Sequence, residues 1–375
     1  MSATAERPFI LFVVSRTELC GDARYAAEIL RRLDRSRFRL AAVSLERPGR
    51  VGLELQGAEV PVHTIDLPES AVRKRPWWRF VGLAQLHSYM RKLKPDLVHT
   101  VGFDGSLLGR IAARMAGVPR VVTTLRSPAD ERGGAAVLAR LTAGAADRTI
   151  CLGPSMSDLA RRRWNLHPRR LVFMDPATDV LRAAGWPPAE DLEGEGPLLG
   201  AMGTLHRRKG YDVLIQALVM LRRFHPRIRL MIAGLGPEGR ALQAQAARAG
   251  VGEALILPGE RKHPGPFLSA IDVFVAPSRR DGVPLALLEA AAAERPIVAS
   301  DVPGIRDFID DDVHGLLVPK EQPALLADAI DRLLLEPGLA ARLAAAARAR
   351  ALAHHTLPQL FDRHLQLYET LLAET

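Results

Sequence analysis

The chain has 375 residues, of which 48% are hydrophobic and 25% charged, and its formal net charge is +9. This composition excludes a globally disordered chain, and the length favours two domains of ordinary size. Two cysteines exclude a disulfide framework, and no apolar run reaches the roughly 18 residues of a membrane-spanning helix. We expect a soluble cytoplasmic protein, with peripheral contact at the inner face of the cytoplasmic membrane as an alternative. Its basic surface favours phosphate-bearing small molecules or membrane surfaces, and no nucleic-acid partner is expected.

Short β-rich runs alternate with helical patterns along the first half of the chain. The run Phe9-Ile-Leu-Phe-Val-Val14 is typical of a buried first strand, and Gly21 follows it in a turn. Further strands are predicted over residues 39–45, 96–99, 120–125, 148–152 and 171–174. Amphipathic helices are predicted over residues 25–33 and 106–116. This alternation predicts βαβ units and therefore a parallel sheet.

A second alternating series follows residues 183–197, a segment rich in glycine, proline and acidic residues that is typical of an irregular connection. In this series, strands are predicted over residues 198–202, 229–233, 254–257, 273–276 and 297–299. Helices are predicted over residues 212–224, 238–249 and 285–293, and a final amphipathic helix over 354–372. The sequence therefore predicts two doubly wound α/β domains with a cleft between them.

A basic glycine loop, Gly203-Thr-Leu-His-Arg-Arg-Lys-Gly210, stands between a predicted strand and a predicted helix. Open α/β sheets bind ligands at the carboxyl ends of their strands, and the amides at a helix start attract anions. Lys209, with Arg207 and Arg208 beside it, suits a diphosphate. A second glycine turn, Ala233-Gly-Leu-Gly-Pro-Glu238, also ends a strand and permits close approach by a ligand. An ordinary solvated turn is the alternative for the first loop, and the second turn by itself indicates little.

Two carboxylates stand eight residues apart in Pro277-Ser-Arg-Arg-Asp-Gly-Val-Pro-Leu-Ala-Leu-Leu-Glu289. A helix is expected to begin between Asp281 and Glu289, near Pro284, so that the two acids flank one cleft. Carboxylates suit sugar hydroxyls because they accept hydrogen bonds in fixed geometry. The helix is apolar nearly all round, and a glutamate in such a helix usually has a partner or a task.

These motifs, in this order, resemble the retaining glycosyltransferases of family four. The matching segments in the second half are Gly203 with Lys209-Gly210, Gly234-Leu-Gly-Pro237, Leu257-Pro-Gly259, Asp272-Val-Phe-Val-Ala-Pro-Ser278, Asp281 to Glu289, Arg295-Pro-Ile-Val-Ala-Ser-Asp-Val-Pro-Gly304 and His314-Gly-Leu-Leu-Val-Pro319. In the first half they are Pro95-Asp-Leu-Val-His99 and Leu108-Gly-Arg-Ile-Ala-Ala-Arg-Met-Ala-Gly-Val-Pro119. The resemblance thus covers most of the chain.

The resemblance implies the GT-B fold, in which two Rossmann-like doubly wound α/β domains face an interdomain cleft. Residues 1–176 would form the acceptor-side N-terminal domain and residues 177–197 the interdomain linker. Residues 198–353 would bind the nucleotide-sugar, and residues 354–375 would form a helix that crosses back to the N-terminal domain.

The resemblance also implies roles for individual residues. Lys209 would meet the diphosphate and stabilise the leaving group, Glu289 would bind the ribose hydroxyls, and Asp281 would contact the transferred sugar. Gly21 would let the backbone of the N-terminal domain approach the diphosphate. Together with Arg126, Lys209 and Asp281 are the predicted catalytic residues. The other predicted donor-binding residues are Gly203, Thr204, Arg208, Gly234, Gly236, Arg261, Lys262, Gly282, Val283, Pro284 and Leu285.

Four positions depart from the family pattern. Family members usually have Arg at the position of Thr204, Glu at that of Asp281, and two glycines where this chain has Cys20-Gly21. Many members carry a functional His after the strand at residues 121–124, where this chain has Arg126. An arginine stays protonated and cannot act as a general base, although it can orient a sugar hydroxyl or a phosphate. Retaining enzymes of this kind are thought to let the departing phosphate accept the acceptor's proton, a route that tolerates this change.

The expected partners are a nucleoside diphosphate-sugar donor, of UDP or GDP type, and a saccharide, lipid-linked or small-molecule acceptor. No cofactor and no metal site are expected. Synthesis of cell-envelope, polysaccharide or lipid-linked glycans is the expected setting. The cluster Arg73-Lys-Arg-Pro-Trp-Trp-Arg-Phe80 could contact a membrane surface, and the alternative is a solvated loop that leads into a helix.

Two further functions are compatible with these motifs. A non-catalytic binder of sugar-nucleotides is suggested by Thr204, Asp281 and Arg126. A GT-B sugar-nucleotide epimerase fits the fold but not the spacing of Asp281 and Glu289.

Overall fold

The computed structural model describes residues 7–18, 20–67, 77–126, 134–188, 194–261 and 263–374. The contacts among Cα atoms divide the chain into two units. The first comprises Met1–Met174 with Leu360–Thr375, and the second comprises Asp175–Gln359. Each unit is built on one parallel sheet.

The first unit has a seven-stranded sheet in the order β3-β2-β1-β4-β5-β6-β7, and every strand pair is parallel. Its strands are β1 (Phe9–Val14), β2 (Arg39–Ser44), β3 (Val62–Thr64), β4 (Leu97–Val101), β5 (Arg120–Leu125), β6 (Arg148–Leu152) and β7 (Leu171–Met174). Its helices are α1 (Gly21–Arg32), α2 (Arg50–Gly57), α3 (Trp77–Leu93), α4 (Phe103–Met115), α5 (Gly134–Ala143) and α6 (Pro154–Trp164).

The strands of the first unit form because continuous apolar runs are buried on both faces of a parallel sheet. All six residues of β1 are buried. Where the strands begin, an aspartate that precedes one strand accepts a hydrogen bond from a backbone amide at the start of the neighbouring strand. Asp96 accepts from Phe9 N at 2.7 Å, and Asp147 accepts from Val121 N at 2.7 Å. These bonds satisfy backbone donors that the ladder leaves open.

The second unit has a six-stranded parallel sheet in the order β10-β9-β8-β11-β12-β13. Its strands are β8 (Leu198–Met202), β9 (Arg229–Ala233), β10 (Leu255–Ile256), β11 (Val273–Ala276), β12 (Ile297–Ser300) and β13 (Leu316–Val318). Its helices are α7 (Val180–Ala183), α8 (Tyr211–Leu221), α9 (Gly239–Arg248), α10 (Pro264–Ala270), α11 (Leu285–Ala292), α12 (Pro303–Arg306), α13 (Pro323–Leu335) and α14 (Pro337–His354). The last helix of the chain, α15 (Leu357–Ala373), lies mostly in the first unit.

Alternate residues of the central strands of this second sheet supply its two cores. Leu230 and Ile232 belong to one apolar cluster, and Met231 between them belongs to the other. Such a strand is apolar at every position because helices cover both faces of the sheet.

The last helix, α15, begins at Leu357, three residues later than predicted, and packs within the first unit. His364 Nε2 lies 2.7 Å from Tyr25 OH, and Tyr368 OH lies 2.6 Å from His99 Nδ1. All four side chains are buried. Burial lowers the pKa of His364 to about 4, so this histidine is neutral at neutral pH.

Several elements differ from the sequence-based prediction. Helix α1 begins at Gly21 rather than at residue 25, and α4 begins at Phe103 rather than at residue 106. Helix α2, strand β3 and the two helices over 323–354 were not predicted. Among the described residues, no helix is long and apolar enough to cross a membrane.

Candidate active site

The candidate site lies where the strand order of the second sheet reverses. The chain runs from β8 outward through β9 and β10, then returns to β11 on the other side of β8. The loops that follow β8 and β11 therefore diverge at adjacent strand ends, the usual place for a ligand in an open α/β sheet. The basic glycine loop over residues 203–210, which we call the phosphate loop, follows β8. The loop that carries Asp281 follows β11.

The loop after β8 ends in a single 3₁₀ turn, Arg207–Lys209, immediately before helix α8. The His206 ring accepts a hydrogen bond from the Arg208 amide at 3.3 Å and so caps this turn. Gly210 links the turn to the helix with a φ of +69°, and a Cβ there would lie 2.0 Å from Pro277 O. Only glycine fits this position without strain, because the obstacle is backbone and the conformation is left-handed.

The glycines of the second turn pack against the first loop. A Cβ on Gly234 would lie 1.9 Å from Gly203 O, and one on Gly236 would lie 2.3 Å from Leu205 O. The backbone joins the same two loops, since Leu205 N donates to Leu235 O at 2.9 Å. The close approach that these glycines permit is therefore that of a neighbouring loop, which fixes the shape of the phosphate loop.

Asp281 is the centre of an ion cluster. Its Oδ2 accepts from Lys209 Nζ at 2.5 Å and from Ser278 Oγ at 3.3 Å, and its Oδ1 accepts from Arg208 Nη1 at 2.9 Å. Asp281 is 6% exposed and Lys209 is 9% exposed. The structure thus brings together three residues predicted for the site, although Asp281 lies more than 70 positions from Arg208 and Lys209 in sequence.

The electrostatics of this cluster keep the carboxylate ionised. Burial alone would raise the pKa of Asp281, but the charges of Lys209 and Arg208 outweigh it and hold the pKa below its ordinary value. Burial raises the pKa of Tyr211, whose hydroxyl lies beside the same loop, so it stays a neutral phenol. The cluster therefore presents two fixed cations and one fixed anion.

Glu289 lies in α11 and is 9% exposed, on a helix that is otherwise apolar. The residues that precede this helix, Gly282 to Pro284, are buried, and its first residue, Leu285, is half-buried. Gly304 packs directly beneath them, because a Cβ there would lie 2.2 Å from Asp281 O. The loop and the helix start are thereby held in fixed register.

Two other donor-binding residues predicted in this unit lie outside the ion cluster of Asp281. Thr204 is half-buried in the loop after β8, and Arg261 is half-buried after β10. Lys262 lies outside the described residues.

Two predicted residues, Gly21 and Arg126, form a cluster of their own in the first unit. Arg126 Nε donates to Asp22 Oδ1 at 2.9 Å, and the guanidinium lies over the Tyr25 ring, 5.7 Å from its centroid. A Cβ on Gly21 would lie 2.2 Å from Arg126 Nη2. The arginine is thus a fixed cation at the start of α1, and only 14% of its side chain is exposed.

Sequence reasoning missed Arg279 and its partner Asp212, whose contacts support the phosphate loop. Arg279 Nη1 and Nη2 each donate to one carboxylate oxygen of Asp212 at 2.7 Å. Their opposite charges, one just after β11 and one at the start of α8, were the signal that could have suggested the pair. His206 carried no comparable signal, because a capping ring is recognised only from the turn it caps.

Within the part of the chain that the structure describes, no group of three His, Cys, Asp or Glu side chains is placed to hold a metal ion.

Comparison with known proteins gives two family matches. The family described as Glycosyltransferase Family 4 matches residues 21–182, and that described as Glycosyl transferases group 1 matches residues 186–350. Together they cover most of both units.

Curated relatives carry several different names. A D-inositol 3-phosphate glycosyltransferase of Xylanimonas cellulosilytica is 38% identical over 165 residues, 42% of this chain and 39% of the relative. Another of that name, from Acidothermus cellulolyticus, is 30% identical over 69% of this chain and 64% of its own length. An alpha-maltose-1-phosphate synthase of Mycolicibacterium smegmatis is 29% identical over 72% of this chain and 78% of its own length. The chain therefore spans less than two thirds of the first two relatives.

Solved structures share the whole fold. Anabaena HepE in complex with UDP-glucose has a TM-score of 0.82 at 18% identity, covering 96% of this chain and 99% of that one. Sucrose-phosphate synthase from Thermosynechococcus elongatus also has a TM-score of 0.82, at 20% identity, covering 98% of this chain and 100% of that one. These likenesses confirm the predicted fold class, two Rossmann-like α/β domains of the GT-B type.

Proposed function

We propose that this chain, which belongs to glycosyltransferase family four, transfers a sugar from a nucleoside diphosphate-sugar to an acceptor. One observation carries the proposal. Lys209 and Arg208, fixed by a buried carboxylate, stand at the switch point of the second sheet, where a diphosphate would meet two preorganised cations.

The chemistry of such a transfer depends on the leaving group. When the bond between the sugar and the diphosphate breaks, negative charge develops on the phosphate, and cations already in place stabilise it without reorganisation. Lys209 and Arg208 supply that charge, so we propose transfer without a metal ion. Asp281 is held ionised and therefore serves as an acceptor of hydrogen bonds, not as a proton donor.

We propose that the configuration of the sugar is retained, with the departing phosphate taking the acceptor's proton. Arg126 is consistent with this route, because a guanidinium paired with Asp22 orients a neighbouring group and removes no proton.

The donor we propose to test first is of the UDP type, because Anabaena HepE was solved with UDP-glucose. Glu289, nearly buried in α11, is the proposed partner of the ribose hydroxyls. The names of the curated relatives refer to different compounds, D-inositol 3-phosphate and alpha-maltose-1-phosphate, so the proposed acceptor stays a class: a saccharide, a lipid-linked or a small-molecule acceptor. A cytoplasmic enzyme of polysaccharide or cell-envelope synthesis is the setting that we propose.

Thermal-shift measurements with UDP, GDP, ADP and their sugars test the donor site, because a ligand that binds the folded state raises the Tm. Positive nucleotides are then assayed for hydrolysis and transfer. We expect Lys209→Ala to abolish most of the stabilisation and Lys92→Ala, an exposed lysine of the first unit, to leave it unchanged. The proposal would be refuted if no nucleotide raised the Tm and no nucleotide-sugar were hydrolysed or used for transfer.

A non-catalytic binder of sugar-nucleotides is the second candidate, favoured by the paired Arg126 in place of a possible base. It predicts the same nucleotide stabilisation but no hydrolysis and no transfer with any acceptor. The two assays together separate the candidates.

A further inference from the structure

Arg279 ties the loop after β11 to the start of α8 and to the phosphate loop. Its guanidinium donates a hydrogen bond to each carboxylate oxygen of Asp212. It also donates to Glu321 Oε1 at 2.7 Å and to Arg207 O at 2.8 Å. Its backbone amide donates to Arg208 O at 2.8 Å. The side chain is 19% exposed.

These contacts converge on the 3₁₀ turn that carries Lys209. Two of them end on the carbonyls of Arg207 and Arg208, the two residues immediately before the lysine. A turn of three residues has little internal hydrogen bonding of its own, so bonds from outside set its position. The pKa of Asp212 lies below its ordinary value: burial would raise it, but the hydrogen bonds and the charge of Arg279 outweigh the burial.

We propose that Arg279 is a positioning residue that holds the turn Arg207–Lys209 where Lys209 and Arg208 meet the diphosphate of the donor. We call the contacts from Arg279 to this turn the clamp. The identity of the ligand rests on the proposed function, whereas the clamp does not. The planar fork of arginine is required, because a lysine cannot contact both oxygens of Asp212, a carbonyl and Glu321 together.

The test compares Arg279→Met and Arg279→Lys with the wild type, by calorimetric titration with UDP and with uridine, or with GDP and guanosine if those bind instead. A displacement of about 1 Å near reacting groups can cost up to about a hundredfold, so we expect the affinity of Arg279→Met for the diphosphate to fall by about tenfold or more. The nucleoside lacks phosphates and should lose less than about twofold. Arg279→Lys should recover only a minor part of the loss.

Arg342→Met is the matched control. Arg342 donates to Asp312 O at 3.1 Å and to Asp312 Oδ1 at 3.2 Å in the same unit, without contact to the phosphate loop. This variant should bind both ligands as the wild type does. An equal loss for nucleoside and diphosphate in Arg279→Met would overturn the proposal, and so would no loss.

Hydrogen exchange gives a readout that needs no ligand. The amides of residues 207–210 should exchange faster in Arg279→Met and at the wild-type rate in Arg342→Met. Unchanged exchange in Arg279→Met contradicts the clamp. If the wild type binds neither diphosphate, the proposed function fails while this measurement still decides whether the clamp exists. Arg279→Lys, measured in parallel, serves if the methionine variant does not fold.

Discussion

Replacing Asp281 by asparagine removes one charge from a buried cluster without changing its volume. Lys209 then keeps a buried positive charge whose carboxylate partner at 2.5 Å is gone, and Arg208 loses its bond of 2.9 Å. The substitution therefore probes how much of the stability of the second unit depends on this ion cluster.

The burial of the cluster determines how much stability the substitution removes. Breaking a buried ion pair on one side costs about 3–5 kcal/mol, because the remaining charge stays desolvated. The lower end applies here, since about a third of the Arg208 side chain is exposed and water takes over part of its solvation. We expect the free energy of unfolding to fall by about 3 kcal/mol. For a unit of this size, each kcal/mol corresponds to about 2–4 °C, so the Tm should drop by roughly 6–12 °C.

Differential scanning calorimetry at pH 7 measures this loss. The control is Asp310→Asn, which breaks an ion pair with Arg350 of 2.6 Å whose carboxylate is 60% exposed. That variant should lose less than about 1 kcal/mol. A loss in Asp281→Asn no larger than in the control would refute the reasoning.

The pH dependence gives a second check. The folded-state pKa of Asp281 is lowered, so its contribution is complete above the unfolded-state pKa, about 3.9, and is lost as the pH falls through the folded-state value. The difference in Tm between wild type and Asp281→Asn should therefore be constant between pH 6 and 8. A difference that shrinks within that range would show that another group carries the effect.

Three further substitutions test separate features. Gly210→Ala should destabilise the second unit by about 2 kcal/mol or more, because its φ of +69° and the carbonyl 2.0 Å away leave no room; an unchanged Tm in calorimetry would contradict this. His364→Phe should make the stability less sensitive to acid between pH 6.5 and 4, since the folded histidine, with a pKa of about 4, stays neutral while the unfolded one binds a proton below about 6.5. Thermal melts across that range check it, and equal slopes would refute it. Gly21→Ala should displace the end of the Arg126 side chain and slow transfer, with a change in unfolding free energy under about 1 kcal/mol; unchanged transfer would count against a role for Arg126.

Most of the strands could be predicted from the sequence to within about two residues, but β3 and β13, of three residues each, were not predicted. Phe9–Val14 and Arg229–Ala233 are short apolar runs bounded by turns, which is what a strand buried on both faces produces. Helix starts were less predictable, because the first turn of α1, Gly21 and Asp22, is polar. Helix α14 buries mainly alanines and Leu343, so its apolar face contrasts little with its exposed one.

The members of the candidate site could be predicted, but its contacts could not. Lys209 and Asp281 stand in recognisable motifs, and the strand order that makes β8 and β11 neighbours brings their loops together. Asp212 and Arg279 stand 67 positions apart in sequence, which conceals their ion pair, because only the folded sheet brings the two side chains together. The glycines of the second turn are a similar case. The sequence indicates that something approaches them closely, but it does not show that this is the backbone of another loop.

The charges of Lys209, Arg208 and Asp281 link the stability of the ligand-free protein to the binding of a donor. Lys209 and Arg208 share one carboxylate, which uses three of its roughly four lone-pair positions on these cations and Ser278. A diphosphate that binds there must share the same cations with Asp281, so part of the attraction is offset by repulsion between the two anions. Asp281→Asn removes that repulsion together with the stabilising pair. The same substitution should therefore lower the Tm of the free protein and tighten the binding of UDP, two effects of opposite sign that mere unfolding of the site would not produce.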